Sequence, residues 1–369
     1  MGWLQDVIKA RELITSGREF TAITHGGMAH MDDLLAAALL YSKAQAVYRL
    51  NDLKDILNIP GDVVLVDIGD GFRDRLTDRF VVLDHHGVKD PAMEPSSIIQ
   101  VALTLDVKTT PLVSTLAHFV DLFDRFGPTA KRAAGPYGNS LNYALTRYFS
   151  GFNGAVRDRF LELVAEAYHA EFDASVDSLT KAFEIVEKLA FARLVDTFPK
   201  TFSLLRLMLQ AVKDPTVALS KEAVEAGFGI DFGCYALAAV PELEPYVIQG
   251  LEGYFSDARQ AAETALYMRY TRIITKDITA VAVEKPMSPT LLWHALQDLA
   301  VVKGPVFIVI KDVRTPGAYT VWRPPEFASV IDFRKLSGNE VVFKHAGGFL
   351  AVVKADSAEE AARFVLSQL

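Results

Sequence analysis

The sequence predicts an α/β protein with an N-terminal domain built on a mostly parallel sheet, a helical connector and a smaller C-terminal α/β domain. Short β-branched runs alternate with helix-like segments through the first third of the chain. The middle has helical periodicity and few glycines, and strand-like runs return in the last hundred residues. The expected domain limits are 1–155, 156–268 and 269–369.

In the first third, "FTAITH" predicts a strand, "DDLLAAALLYSKAQ" a helix and "AVYRL" a second strand, and "DVVLVDIGD" and "RFVVLDHH" predict two more strands. Three of these strands end in acids or histidines, at His25, at Asp67 and at the triplet Asp84, His85 and His86. Ligands bind at the carboxyl ends of strands in open parallel sheets. We therefore expect these side chains to converge on one crevice.

The middle is expected to be a long helical connector, because "RDRFLELVAEAYHAEFDASVDSLTKAFEIVEKLAFARLV" repeats apolar residues at i, i+3 and i+4. A loop or short helices are expected at "AVEAGFGIDFGCYALAAVPELEPY". In the last hundred residues, strands are predicted at "ITAVAVEK", "PVFIVIKDV", "AYTVWR" and "EVVFKHAGGFLAVVKA". Helices are predicted at "PTLLWHALQDL" and at "SAEEAARFVLSQ", the latter capped by Ser357.

Composition excludes several classes of protein. A formal charge of −8 and a pI near 5.6 argue against coating nucleic acid through a basic surface, but they allow a nuclease with a local basic strip. The one cysteine, Cys234, excludes an intramolecular disulfide and a metal–thiolate cluster. The first residues lack a signal pattern, and polar residues interrupt the longest apolar stretch. We expect a cytoplasmic protein with no membrane partner.

The loop after the first strand, "THGGMAHMDD", carries His25, His30, Asp32 and Asp33 within nine residues. Its two glycines allow a close bend. Imidazoles with carboxylates are the ligand set of divalent Mn, Fe, Co or Zn. A single histidine beside an acid is usually a surface pair. Three strand ends with the same chemistry favour a metal centre, because burying that many acids is costly without cations.

With its motifs in this order, the sequence resembles the DHH phosphoesterase superfamily, whose triplet is here Asp84-His85-His86. More closely, it is similar to the MYG-type (melanocyte proliferating gene) branch, whose members are regarded as exonucleases. The opening motif of that branch is histidine, four residues, histidine, one residue and aspartate, here His25, His30 and Asp32.

Two further motifs carry the resemblance. Asp67 in "VDIGD" matches the isolated strand-end acid of the superfamily, and "FVDLFDRFG" matches a helical fourth motif that offers Asp121 or Asp124, with Asp121 preferred. Segments 143–153 and 343–361 also resemble the branch. The likeness covers the first 155 residues and the last thirty or so, and it is weak through the middle.

The resemblance implies a centre of two divalent ions, with Mn²⁺ expected and Mg²⁺, Co²⁺ or Zn²⁺ as alternatives, that activates a water for attack on a phosphodiester. The implied ligands of one ion are His25, His30 and Asp67. Those of the other are Asp32, the shared Asp67, His85 and the acid of the fourth motif.

The rest of the implied site concerns catalysis. Asp84 would orient an imidazole and fix its tautomer. His86 would face the scissile phosphate as a donor or proton carrier, and its alternative is a histidine packed beside the sheet. Asp33, Asp70 and Asp74 are expected to be acids of helix starts or loops and not ligands.

The expected substrate contacts lie in the C-terminal domain. Residues 271–369 carry twelve Lys and Arg and ten Asp and Glu, a net of +2 in a chain of −8. Candidate phosphate contacts are Arg314, Arg323, Lys344 and His345. Gly347 and Gly348 would bring backbone amides close to phosphate or would form an ordinary bend between strands. Trp322 or Phe349 would stack a base, although core packing is the better interpretation for Trp322.

Arg147 in "YALTRYFSGFN" has two equal interpretations, a structural tie between helix and sheet or a phosphate clamp. The leading functional hypothesis is an exonuclease that hydrolyses single-stranded RNA or DNA or short oligonucleotides. A phosphohydrolase acting on pyrophosphate or a cyclic dinucleotide is the alternative enzyme, and a non-catalytic nucleotide-binding module is the alternative class. The partner is a single-stranded nucleic acid or oligonucleotide, and a homo-oligomer is allowed.

Overall fold

The computed structural model describes residues 2–87, 90, 92–107, 111–126, 145–169, 192–203, 205–206, 214, 240–275 and 277–369. Its two sheets with packed helices confirm the predicted α/β class. Cys234 and much of the predicted connector lie outside the described residues. The helices are α1 (Gly2–Thr15), α2 (Met31–Tyr41), α3 (Leu53–Asn58), α4 (Ser97–Leu105), α5 (Pro111–Phe126), α6 (Thr146–Phe149), α7 (Phe160–His169), α8 (Ala192–Thr197), α9 (Glu244–Leu266), α10 (Pro289–Asp298) and α11 (Ala358–Leu366).

The first sheet has five strands in the order β4-β3-β1-β2-β5. They are β1 (Phe20–Thr24), β2 (Ala46–Arg49), β3 (Asp62–Val66), β4 (Phe80–Leu83) and β5 (Gly154–Val156). The pairs β1–β2, β1–β3 and β3–β4 are parallel, and β5 runs antiparallel to β2 at the edge, as expected for a mostly parallel sheet. All residues of β1 and β4 are buried, which is typical of strands covered by helices on both faces.

The strand register places the predicted site residues in one row. Thr24 pairs with Val66, and Val66 pairs with Leu83. The residues that follow these three positions are His25, Asp67 and Asp84. They therefore leave the sheet side by side at its carboxyl edge, as the sequence predicts.

The second sheet has six strands in the order β10-β11-β9-β8-β7-β6 and is antiparallel except for the pair β7–β8. Its strands are β6 (Thr271–Ile274), β7 (Thr279–Val283), β8 (Val306–Lys311), β9 (Ala318–Trp322), β10 (Val341–Lys344) and β11 (Leu350–Lys354). The Ser357 side chain accepts a hydrogen bond from the N–H of Glu360, so the predicted cap of α11 is confirmed.

The two sheets define two lobes: the N-terminal lobe contains β1–β5, and the C-terminal lobe contains β6–β11 with α10 and α11. The largest hydrophobic cluster is continuous from the helices of the N-terminal lobe to α10 and one face of the second sheet. Strand β5 ends at Val156, and α7 packs against α2. Within the described part of the chain, no helix is long and apolar enough to cross a membrane.

Candidate metal centre

Asp67 lies at the middle of a cluster of acids and imidazoles on the carboxyl edge of the first sheet. Its φ is 57°, in the left-handed region that aspartate and asparagine adopt more often than other non-glycine residues. This turn brings the carboxylate between two sets of histidines. The distance from Oδ2 to Nε2 of His25 is 3.4 Å, and Oδ1 lies 3.5 Å from Nε2 of His85 and from Nδ1 of His86.

Within this cluster, the ligand-type atoms form two main groups that share Asp67. One group is His25, His30 and Asp67, and the other is Asp32, Asp67, His85 and Asp124; the atoms of each lie within 4.8 Å of one another. These are the two ligand sets that the resemblance implies, with Asp124 as the acid of the fourth motif. A third group joins Asp67 to His85 and His86.

The unsatisfied atoms of the cluster fit a cation site. Among the described residues, four buried atoms of the cluster make no hydrogen bond of good geometry: His30 Nδ1, Asp67 Oδ2, His85 Nε2 and Asp124 Oδ2, the last two of which lie 2.6 Å apart. The contacts within the groups, 3.4 Å from Asp67 to His25 and 3.5 Å from Asp67 to His85, are long for hydrogen bonds. They match the separation of about 3 to 3.5 Å between ligands that each lie about 2.1 Å from one ion. The donor set of imidazoles and carboxylates suits Mn²⁺, Fe²⁺, Co²⁺ or Zn²⁺.

The geometry favours Asp124 over the preferred Asp121 as the acid contributed by α5. Asp124 Oδ2 lies 2.6 Å from His85 Nε2, and Oδ1 lies 3.6 Å from His30 Nδ1. Asp121 has other partners, since Oδ1 accepts the N–H of Ser96 (2.7 Å) and Oδ2 binds Arg125 (2.5 Å). Asp121 thus ties α5 to the start of α4, and Asp124, one turn later, reaches the cluster.

Asp84 orients the triplet through hydrogen bonds. Its Oδ1 accepts the N–H of His85 (2.7 Å) and contacts Nδ1 of His86 (2.7 Å). Its Oδ2 accepts the N–H of Asp70 (2.9 Å). Because Asp84 holds the Nδ1–H of His86, the Nε2 of that ring is left to act on other groups.

Asp32 is fixed by the N-terminus of α4. Its two carboxylate oxygens accept the N–H groups of Ser97 (3.0 Å) and Ile98 (2.9 Å). The positive end of the helix dipole stabilises a carboxylate at this position. Ser97 also donates its hydroxyl to Asp67 Oδ1 (3.3 Å), a contact that no feature of the sequence indicates.

The acids and imidazoles of the cluster shift one another's pKa. Burial raises the pKa of Asp67, but His86, His25 and His85 outweigh it and hold that pKa well below its usual value. Burial and the carboxylates of Asp124 and Asp67 raise the pKa of Asp32. Against the effect of burial, Asp84 and Asp67 raise the pKa of His86 to about 9. The carboxylates of Asp32, Asp67 and Asp124 lie close together and repel one another. Divalent cations bound between them would offset this repulsion.

Two of the predicted substrate residues approach the cluster from the C-terminal lobe. Arg314, in the exposed loop between β8 and β9, donates to the carbonyl of Met28 (3.2 Å) and contacts Nε2 of His30 (3.3 Å). His345 lies within electrostatic reach of Asp124, and burial lowers its pKa to about 4. The N–H of Gly347 donates to its Nδ1 (2.9 Å), so the neutral ring carries its proton on Nε2.

Three other predicted substrate residues bind elsewhere. Arg147 on α6 forms an ion pair with Asp257 on α9 (2.8 Å), which ties two helices together, whereas the structural interpretation expected a tie between helix and sheet. Arg323 is buried, and burial lowers its pKa. Lys344 donates Nζ to the carbonyls of Arg334 (3.1 Å) and Leu336 (2.9 Å).

The two glycines form a bend between β10 and β11. The N–H of Gly347 is used by the His345 ring, and the N–H of Gly348 donates to the carbonyl of His345 (2.9 Å). Gly348 has φ +67°, and a Cβ there would clash with Asp332 Oδ1. This geometry favours the ordinary bend over a phosphate site. Trp322 is buried in the core, and Phe349 packs on the His345 ring with 4.2 Å between centroids.

Sequence reasoning missed Arg49. This residue ends β2 and is fully buried beside Asp33, with 2.8 Å between Nη1 and Oδ2. An arginine at the end of a buried strand is a signal that could have found it, because a charge is rarely buried without a partner. Asp33 lies in the first turn of α2, as expected.

No family model matches the chain, and no curated protein matches it. Among solved structures, it is similar to a DHH domain described as a member of the S1p family of ribosomal proteins, at TM-score 0.45 and 12% identity over 100% of this chain and 89% of that one. It is also similar to RecJ with Mn²⁺ from Thermus thermophilus, at TM-score 0.42 and 15% identity over 100% of this chain and 54% of RecJ. CDC45 from Entamoeba histolytica gives TM-score 0.36 and 9% identity over 98% and 97%. The chain spans about half the length of that RecJ protein.

Proposed function

We propose that the protein is a metal-dependent phosphodiesterase of the DHH type, and an exonuclease on single-stranded RNA or DNA or short oligonucleotides. The observation that carries the proposal is the pair of ligand groups that share Asp67 at the edge of the sheet. The assignment to the MYG-type branch rests on the resemblance in motifs and stays a prediction.

The proposed roles follow from the geometry. The expected ligands are His25, His30, Asp32, Asp67, His85 and Asp124. Two divalent cations bound there would lower the pKa of a water and neutralise charge that develops on a phosphate. Mn²⁺, one of the ions that this donor set suits, is the expected metal because the resemblance implies it.

Residues beside the cluster would act on the substrate. His86, whose side chain is 35% exposed, would move a proton through Nε2 while Asp84 holds its Nδ1–H. The Nε2–H of His345 would donate to a phosphate oxygen. Arg314 would place a guanidinium beside the same phosphate, where its planar fork suits two oxygens.

The test is hydrolysis of labelled single-stranded RNA and matching DNA in Mn²⁺. Controls are chelated protein, Asp67→Asn, and Asp74→Asn, which changes an exposed acid. Stepwise products that disappear with chelator and with Asp67→Asn, but persist with Asp74→Asn, support the exonuclease. If protein with verified metal leaves both polymers intact, the exonuclease proposal fails. Pyrophosphate and cyclic dinucleotides, assayed in parallel, then decide between the alternative hydrolase and a binding module.

A further inference from the structure

The loop that carries both histidines of the first ligand group is anchored by side chains from distant segments. This metal loop, residues 25–30, connects β1 to α2 and contains His25 and His30. The N–H of Gly26 donates to Oδ1 of Asn51 (2.9 Å), and the N–H of Ala29 donates to Oγ of Ser150 (2.8 Å). The loop is therefore held at both ends by partners that are far away in sequence.

Arg49 holds the metal loop at its centre. The guanidinium donates Nη2 to the carbonyl of Gly27 (3.0 Å) and Nη1 to Oδ2 of Asp33 (2.8 Å). Its plane lies over the Phe149 ring, 4.1 Å from the centroid. The side chains of Arg49 and Asp33 are both 0% exposed. One planar group thus fixes the backbone of the loop and a carboxylate at once.

Asp33 passes this restraint to both histidines of the first ligand group. Its Oδ1 accepts the N–H of His30 (2.6 Å), and its Oδ2 lies 3.6 Å from Nε2 of His25. Thr24 donates its hydroxyl to the same Oδ2 (3.1 Å). A shift of the Asp33 carboxylate would therefore move or turn both imidazoles.

A buried ion pair of this kind is poorly explained by stability alone. Burying two charges often costs as much as their attraction returns, and well-packed apolar residues of similar volume are frequently as stable. Metal sites, however, depend on outer partners that orient the ligands. An arginine fork can bind the Gly27 carbonyl and Asp33 together, whereas one lysine ammonium is a point donor on a flexible stem.

We propose that Arg49 is a positioning residue that, through Asp33 and the Gly27 carbonyl, sets the geometry of His25 and His30 for one of the two cations. This inference rests on the proposed metal-dependent function. Arg49 does not belong to either ligand group, so its substitution removes no ligand.

The test compares Mn²⁺ binding by wild-type protein with binding by three full-length variants. Arg49→Lys keeps the positive charge but loses the two-pronged guanidinium that binds Gly27 and Asp33 together. Asp33→Asn keeps the size of the side chain but removes the negative charge of the ion pair with Arg49. The matched control is Arg79→Lys. Arg79 also stacks on a ring, Phe80, at 4.1 Å and donates to backbone carbonyls, including that of Ile59 (2.7 Å), but it lies away from the cluster.

Calorimetry gives the number and affinity of bound Mn²⁺ ions, electron paramagnetic resonance detects coupling between two ions, and circular dichroism verifies folding. We expect two ions in wild type and in Arg79→Lys. We expect one of them to bind about 10- to 100-fold more weakly in Arg49→Lys and Asp33→Asn, with loss of the coupled signal at limiting Mn²⁺. The second ion should keep its affinity.

Either of two results overturns the inference while leaving the proposed function intact. One is that folded Arg49→Lys and Asp33→Asn bind both ions as wild type does. The other is that both ions weaken equally, or weaken as much in Arg79→Lys, which would mean that Arg49 acts on the fold alone. If wild-type protein binds no Mn²⁺, the proposed function fails, and the inference fails with it.

Discussion

Asp67 is the residue on which both ligand groups depend. Asparagine tolerates the left-handed backbone at this position as aspartate does, so Asp67→Asn removes the charge without adding backbone strain. We expect Mn²⁺ binding and hydrolysis to fall by more than the roughly 10- to 100-fold that follows loss of an outer partner. Calorimetry and the nuclease assay measure this. Retention of both ions would contradict the bridging role.

Substitution of Asp121 should lower stability, and substitution of Asp124 should weaken metal binding. Asp121→Ala leaves the buried N–H of Ser96 without its acceptor, and we expect a loss of about 1 to 3 kcal/mol in the free energy of unfolding. Its Mn²⁺ binding should stay near wild type. Asp124→Ala should lose Mn²⁺ affinity, and urea unfolding of the chelated protein measures its effect on the fold. The reverse pattern would restore Asp121 as the ligand.

The imidazoles of the cluster predict that the stability of the metal-free protein falls as the pH rises, whereas its affinity for Mn²⁺ rises. His86 has a pKa of about 9 in the folded protein and 6.5 as its ordinary value. Its stabilising effect is present below pH 6.5 and is lost as the pH rises through about 9, so the free energy of unfolding of chelated protein should fall across this window. Ligating imidazoles must be neutral, so Mn²⁺ affinity should rise with pH. Denaturant unfolding between pH 6.5 and about 9, once with EDTA and once with Mn²⁺, measures how the free energy of unfolding changes with pH in each case.

The site residues at strand ends could be predicted because strand boundaries were clear in the sequence. His25, Asp67 and Asp84 each follow a buried apolar run, and the parallel register aligns the three. The choice between Asp121 and Asp124 could not be predicted, because residues three apart on one helix lie on similar faces. Their different roles depend on how α5 packs against α4.

At the scale of elements, the turn between β10 and β11 requires glycine for two reasons. Gly348 combines φ +67° with a close Asp332, whereas Gly317 has φ +70° and open space around its Cβ position. Gly317→Ala therefore measures the backbone strain of about 1 to 3 kcal/mol alone. Gly348→Ala should lower the free energy of unfolding further because Asp332 must also move. If denaturant unfolding shows the same loss of free energy of unfolding for both variants, Asp332 moves away from the new Cβ at no cost.

Most strands were predictable from the sequence, and the short edge strands β5 and β6 were not. The strands β1, β3, β4, β7 and β8 are apolar runs that match their predicted segments. Strand β5 is Gly154–Val156, and β6 is the largely exposed Thr271–Ile274. Neither has the buried alternation that identifies a strand, because each obtains its place from pairing with a neighbour. The limits of 1–155, 156–268 and 269–369 stay predictions.

At the scale of the whole molecule, Arg314 connects the C-terminal lobe to the metal loop. Arg314→Met keeps much of the stem that packs over Gly27 and removes the guanidinium. If the guanidinium binds a substrate phosphate, KM should rise about 10- to 150-fold, as for loss of a charged hydrogen bond of about 1.5 to 3 kcal/mol. Mn²⁺ affinity should change little. An unchanged KM in steady-state assays would remove Arg314 from the substrate site.

Because the hydrophobic cluster is continuous between the two lobes, we expect the two lobes to evolve together. Its surface in each lobe is shaped by side chains of the other, so a lobe exchanged with that of a distant relative would meet a mismatched apolar face. Substitutions at this junction must then change in compensating pairs, even where they lie far from the cations. Divergence in such a protein is easiest in its exposed loops, such as the one that carries Arg314, because changes there leave the shared interior undisturbed.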